Sequence, residues 1–302
     1  MNLRFRARAL AFSAVVAAAS SMQAAESMPI ASRTLVVDGL SLHYLTAGHG
    51  EPLLLLHGYA ETSRMWRPVI PIFAEKFTVI APDLPGIGDS AIPKSGLDMK
   101  TSAVRIHALV KALGISKARV VGHDIGLMVA YAYAAQFPTE TEKLVLMDAF
   151  LPGVEGWEPV YNSPLIWHFR FYGPTPEALV KGRERIYFER FWNDFAADKT
   201  HSIPEADRRA YTEAYSRPGR MAAGFAYFQS FPQTATDFTA LSKTMLPMPV
   251  LTIGGEKANG EVLAKQVKLI SPNGRSIVIP GAGHWILEEK PKETIDALQG
   301  FL

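Results

Sequence analysis

The chain has 302 residues, is 48% hydrophobic, carries a formal net charge of +2 and contains no cysteine. That length allows a large core in one or two domains, and missing cysteine excludes disulfides and thiol catalysis. Near-neutrality without a basic block in the body of the chain speaks against nucleic acid and for a small, largely uncharged molecule as partner.

The first stretch, MNLRFRARALAFSAVVAAASSMQAAES, places Arg4, Arg6 and Arg8 before an alanine-rich apolar run, with small residues at Ala24 and Ala25. It reads as a secretory signal peptide over residues 1–25, too short to serve as a stable membrane anchor. The protein is therefore expected to be exported, periplasmic or secreted. RTLVVDGLSLHYLTAG alternates as a hairpin turning at Asp38-Gly39. PLLLLHG, FTVIAPD, ARVVGH, KLVLMDA, PVLTIGG and SIVIPGAGH are short apolar runs ending in Gly, Asp or His, the pattern of parallel strands buried on both faces.

Helical patterns alternate with them: KTSAVRIHALVKALG with a glycine stop, GLMVAYAYAAQFP ending before Pro138, GEVLAKQVKLI and KETIDALQGFL. The expected fold class is α/β, a mostly parallel doubly wound sheet. Between residues 151 and 241 the alternation gives way to aromatic-rich helices, read as an inserted helical cap on a core of residues 26–150 and 242–302. Such a cap would close an apolar pocket over the strand ends.

GHDIG, residues 122–126, has the spacing of a nucleophile elbow with Asp124 at the centre. A carboxylate is already ionised at neutral pH. Attack on an ester carbonyl would give only a reactive anhydride. Attack on a saturated carbon gives an alkyl ester that water can later open, so the leaving group would be an epoxide oxygen or a halide. Opening the ester needs a general base, offered by His284 after the last apolar run. An acid must orient that histidine. Asp148 is favoured, and Glu256, after the next core strand, is the alternative. His57-Gly58-Tyr59 follows a strand as oxyanion loops of such sheets do, so the backbone N–H groups of Tyr59 and Ile125 are the expected oxyanion donors. DLPGIGDS is read as a turn, and no metal or cofactor is expected.

HGYA, FTVIAPDLPGIGDS, GHDIG, LVLMDA and GHWILEE together resemble the α/β-hydrolase epoxide hydrolases. IWHFRFY and KGRERIYFERF resemble most the secreted, Cif-like branch. The likeness runs from about Thr34 to the C-terminus. It implies Asp124 as nucleophile, His284 as base and Asp148 as relay acid, although that branch has glutamate at the last position. It also implies that His168 holds the epoxide oxygen together with a cap tyrosine. Here Phe228 stands where the tyrosine is expected, after Tyr227, and phenylalanine donates nothing; Tyr227, turned inward, is then the tyrosine expected to bind the leaving group beside His168. An alkoxide needs acid help to leave and a halide does not, so the change favours a dehalogenase of small haloacids or haloalkanes as the alternative. The dehalogenase pattern is incomplete as well, since Ile125 replaces its halide-binding tryptophan. A non-catalytic binding protein on the same fold is a further alternative. A homo-oligomer stays open.

Overall fold

The computed structural model describes residues 29–302; the signal peptide expected over residues 1–25 lies outside them. Eight strands form one sheet: β1 Ala31–Val37, β2 Leu40–Ala47, β3 Glu51–Leu56, β4 Phe77–Pro82, β5 Ala118–His123, β6 Thr141–Met147, β7 Val250–Gly255 and β8 Arg275–Ile279. Their order is β1-β2-β4-β3-β5-β6-β7-β8. β2 runs antiparallel to both β1 and β4, and every other pair is parallel. The fold is the expected α/β sheet with an antiparallel edge. Its hairpin turns where both Asp38 and Gly39 have positive φ, 51° and 77°, the pair a two-residue turn of matching twist requires.

The central strands are apolar on both faces because helices cover both. Leu53–Leu56 of β3 are fully buried, each side chain contributing about 1.5–3 kcal/mol relative to exposure. Met99–Ala112 starts where the Asp98 side chain accepts from Thr101 N–H at 2.7 Å. Ile125–Gln136 is buried from Ile125 through Ala134, which explains its lack of a polar face. Gly260–Ile270 and Pro291–Gln299 follow β7 and β8.

Between β6 and β7 the described chain is helical without a strand. The segments Glu158–Tyr161, Pro164–Arg170, Pro174–Val180, Glu184–Asp194, Lys199–His201, Glu205–Ser216, Arg220–Gln229 and Phe231–Leu241 follow one another. Phe188, Trp192, Phe225, Phe228 and Phe231 of this stretch are buried. Trp192 Nε1 donates to the Ala60 carbonyl at 3.2 Å, tying the stretch to the loop after β3. Among the described residues no helix is long and apolar enough to cross a membrane.

Candidate active site

The elbow after β5 depends on close approach. A Cβ on Gly122 would lie 2.2 Å from the Gly126 carbonyl oxygen, and one on Gly126 would lie 2.5 Å from the carbonyl oxygens of Leu56 and His57. Glycine at both positions lets the helix Ile125–Gln136 start directly against β3 and β5. The turn leaves Asp124 at φ 52°, ψ −123°, a strained conformation costing on the order of 1–3 kcal/mol. The turn carries its side chain beyond the end of β5. There Asp124 Oδ1 accepts the Tyr59 N–H at 2.8 Å. Ile125, at the first helical position, carries an N–H that an α-helix leaves without an internal partner. Both expected oxyanion donors therefore flank Asp124.

His284 stands on the other side, with Nε2 3.6 Å from Asp124 Oδ2. Its Nδ1 donates to Asp148 Oδ2 at 2.7 Å; a carboxylate only accepts, which fixes that proton on Nδ1. Asp148 follows β6 at φ 37° and is fully buried. Its Oδ1 accepts from the N–H groups of Gly255 at 2.8 Å and Asn259 at 3.2 Å. Burial alone would lower the His284 pKa. The Asp148 hydrogen bond and charge, with the Asp124 and Glu61 charges, outweigh it and hold it at about 9.

Glu256 does not reach this histidine. It is exposed, accepts the Gly281 N–H at 3.0 Å and pairs with Lys257 at 3.5 Å. The alternative relay acid is thus corrected: the end of β7 carries Glu256 away from His284, while the positive φ after β6 aims Asp148 at it.

A cavity of about 480 Å³ opens at Asp124 and His284, with Met128, Phe150, His168 and Phe169 among its walls. His168 is buried on the segment Pro164–Arg170, and its ring meets those of Phe169, Phe191 and Phe228 with centroids 4.4, 4.7 and 5.1 Å away. Its Nδ1 has no hydrogen-bond partner among the described residues. Burial, then the charges of Arg190 and His284, push its pKa well below 6.5. At neutral pH it is an uncharged N–H donor.

Phe228 packs on Tyr59 with centroids 4.5 Å apart, so an apolar ring sits beside both His168 and the loop holding Asp124. Tyr227 faces elsewhere. Its buried hydroxyl donates to the Pro85 carbonyl at 2.9 Å and accepts from Ser102 at 3.3 Å. The expectation that Tyr227 binds a leaving group is corrected on that ground: consecutive helical residues point about 100° apart, and with Phe228 beside His168, Tyr227 turns into the core. DLPGIGDS forms the expected turn, with Asp83 accepting from Ser63 N–H at 2.8 Å and Asp89 N–H at 2.7 Å.

Two buried residues belong to the site and escaped the sequence reading. His123, next to Asp124 in the chain, has Nδ1 3.2 Å from Glu61 Oε2 and Nε2 3.0 Å from the His284 carbonyl oxygen. Glu61 is fully buried and its other oxygen has no partner among the described residues. The signal available in the sequence was an acid placed four residues after His57, which follows β3, among otherwise apolar and small neighbours.

A carboxylate at a sheet-to-helix elbow, a histidine beside it and a second acid behind the histidine, in that arrangement at the carboxyl ends of parallel strands, define an α/β hydrolase. A family model described as the alpha/beta hydrolase fold matches residues 51–291. The chain belongs to that family and is a hydrolase. It is similar to the soluble epoxide hydrolase of Corynebacterium sp. (strain C12), 33% identical over 282 residues covering 91% of this chain and 98% of that protein. It is also similar to the solved Cif epoxide hydrolase from Acinetobacter nosocomialis, with a TM-score of 0.82, 26% identity and coverage of 92% and 90%. A fluoroacetate dehalogenase of Burkholderia sp. is 24% identical over 285 residues, covering 89% of this chain and 93% of that protein.

Proposed function

We propose that the protein hydrolyses a small epoxide through an ester on Asp124, with residues 151–241 serving as the cap over the core. The carrying observation is the arrangement at Asp124: one carboxylate oxygen accepts the Tyr59 N–H, and the other faces His284 Nε2 3.6 Å away in the mouth of an apolar cavity. Asp124 attacks an epoxide carbon, the C–O bond breaks, and the ring oxygen leaves as an alkoxide that accepts a hydrogen bond from His168 and then a proton from solvent. In the second step neutral His284 takes a proton from water and the resulting hydroxide adds to the Asp124 carboxyl carbon. The N–H groups of Tyr59 and Ile125 hold the oxyanion. Its collapse breaks the bond to the alkyl oxygen, which takes the proton back from His284 as the diol leaves, and the Asp124 carboxyl returns to the carboxylate by giving a proton to solvent, balancing the one taken in the first step.

A second reading rests on Phe228 beside His168 and on the commitment of the Tyr227 hydroxyl to Pro85. With one neutral N–H at the leaving-group side, a halide, which departs as a stable anion, is served as well as an alkoxide is poorly served. The substrate is then a small haloacid or haloalkane, and the Asp124 ester is the same. The export signal read in residues 1–25 supports action outside the cytoplasm. Incubation with epibromohydrin and with bromoacetate, followed by assay of diol, glycolate and bromide, separates the two substrates. A single turnover in heavy-oxygen water tests the ester: the first product should carry unlabelled oxygen from Asp124, and label entering the first product directly overturns both readings.

A further inference from the structure

Outside this cavity, three residues repeat a hydrolytic geometry. Ser32 of β1 and His43 of β2 are diagonal neighbours on one face of the antiparallel pair, since Ser32 is registered with Leu45 and Thr34 with His43. Ser32 Oγ lies 2.8 Å from His43 Nε2. His43 Nδ1 lies 2.8 Å from Asp83 Oδ2. The acid is rigid: its two oxygens also accept the Ser63 and Asp89 N–H groups, and its pKa is lowered despite burial, chiefly by the His43 hydrogen bond. The histidine is fixed too, its own N–H donating to Ser90 Oγ at 3.0 Å and its carbonyl accepting the Asp83 N–H at 3.0 Å.

These groups differ from a structural hydrogen-bond chain in where they end. His43 and Asp83 are buried, but Ser32 is exposed, and all three border one cleft of about 280 Å³ that shares no residue with the cavity at Asp124. Arg64, Arg67 and Arg217 border it as well. Arg64 is tied to Asp207 and Arg217 to Asp89, whereas Arg67 has no ion pair among the described residues. Its guanidinium borders the same cleft as Ser32 and His43, and its charge acts on the imidazole.

We infer that Ser32, His43 and Asp83 form a second nucleophilic centre that accepts the acyl group of a small carboxylic ester. Ser32 Oγ attacks the carbonyl carbon while its proton passes to His43 Nε2. Arg67, on the rim of the same cleft, is the cation available to the oxyanion. The C–O bond to the leaving alcohol breaks and the alcohol takes that proton. Water then repeats the exchange on acyl-Ser32, releasing the carboxylic acid and restoring the hydroxyl. Asp83 keeps the His43 proton on Nδ1 so that Nε2 stays a base.

The test uses the mature protein, a fluorophosphonate and p-nitrophenyl acetate. An unactivated serine hydroxyl resists the fluorophosphonate, so peptide mapping should find the adduct on Ser32, absent in Ser32→Ala and formed at least about tenfold more slowly in His43→Gln. Asp124→Asn should keep p-nitrophenyl acetate turnover, and Ser32→Ala should lose it while retaining the Asp124-dependent activity and a wild-type melting curve. No adduct on Ser32 in the folded protein overturns the inference, as does ester turnover that survives Ser32→Ala and disappears in Asp124→Asn. Should His43→Gln fail to fold, the Ser32→Ala and Asp124→Asn comparison decides alone. Neither result bears on the Asp124 ester, which the heavy-oxygen experiment judges separately.

Discussion

The His123 ring reaches the main-chain oxygen of His284 at 3.0 Å and the Glu61 carboxylate at 3.2 Å, so one buried imidazole links the loop after β3 to the loop after β8. A carbonyl and a carboxylate only accept hydrogen bonds. Both contacts are satisfied at once when the ring carries two protons. Burial opposes that charge, but the Glu61 hydrogen bond and charge prevail and raise the His123 pKa above 6.5. The cation holds the backbone of the residue whose side chain faces Asp124.

Glu61→Gln keeps an oxygen for His123 and removes the charge. The variant should lose stability on the order of 3 kcal/mol, the cost of breaking a buried ion pair. Because the Glu61 charge is also among those that raise the His284 pKa, the ascending, acidic limb of its pH–rate profile should move to lower pH. Loss of stability with an unmoved profile would reduce the pair to a packing element.

Asp124→Asn removes the charged oxygen and leaves the backbone untouched. Turnover on any substrate of the Asp124 cavity should fall by at least about a thousandfold, as removal of a nucleophile does. His284→Gln should instead stop after the first step, and intact-mass measurement should find the protein heavier by one substrate. An unmodified mass after prolonged incubation with a substrate the wild type consumes contradicts the ester.

Stability should depend on the protonation of His284. Its folded pKa, about 9, lies above the ordinary 6.5, so the folded state binds the proton more tightly. The contribution is complete below pH 6.5 and is lost as pH rises through about 9. Melting temperatures should decline across that window, and Asp148→Asn should flatten the decline. Catalysis runs the other way, because the base must be neutral. Esterification of Asp124 in the proposed mechanism would remove one of the charges raising the His284 pKa, so the ester-opening step should titrate below the free enzyme.

Phe228→Tyr restores a hydroxyl beside His168. Epoxide opening should accelerate by roughly tenfold or more, while displacement of bromide from bromoacetate should change little. Equal effects on both substrates would show that the new hydroxyl does not reach the leaving group.

Gly122→Ala should destabilise the fold by about 1–3 kcal/mol, the cost of overpacking, since its methyl would meet the Gly126 carbonyl oxygen at 2.2 Å. A thermal melt measures it directly.

Much of this architecture could be read in the residues. Each buried strand is a run of apolar residues closed by Gly, Asp or His, and the hairpin at Asp38-Gly39 carries its turn chemistry in two letters. The elbow was legible because glycine must flank its central residue. Asp148 was favoured over Glu256 without being decided, because both follow a core strand and only the backbone angles after β6 and the distance to His284 distinguish them. Tyr227 and Phe228 posed a similar problem, as the rotation of Arg220–Gln229 about its axis decides which ring faces His168. Glu61 and His123 went unread because their pairing joins the loop after β3 to the end of β5, far apart in sequence.

The packing of Gly122 and Gly126 against their neighbours has one more consequence. Those glycines, and not the side chain between them, shape the bend at residue 124. The scaffold is therefore nearly indifferent to which reactive group it presents, and a lineage could trade a carboxylate for a hydroxyl, and with it one class of bond for another, without rebuilding the sheet.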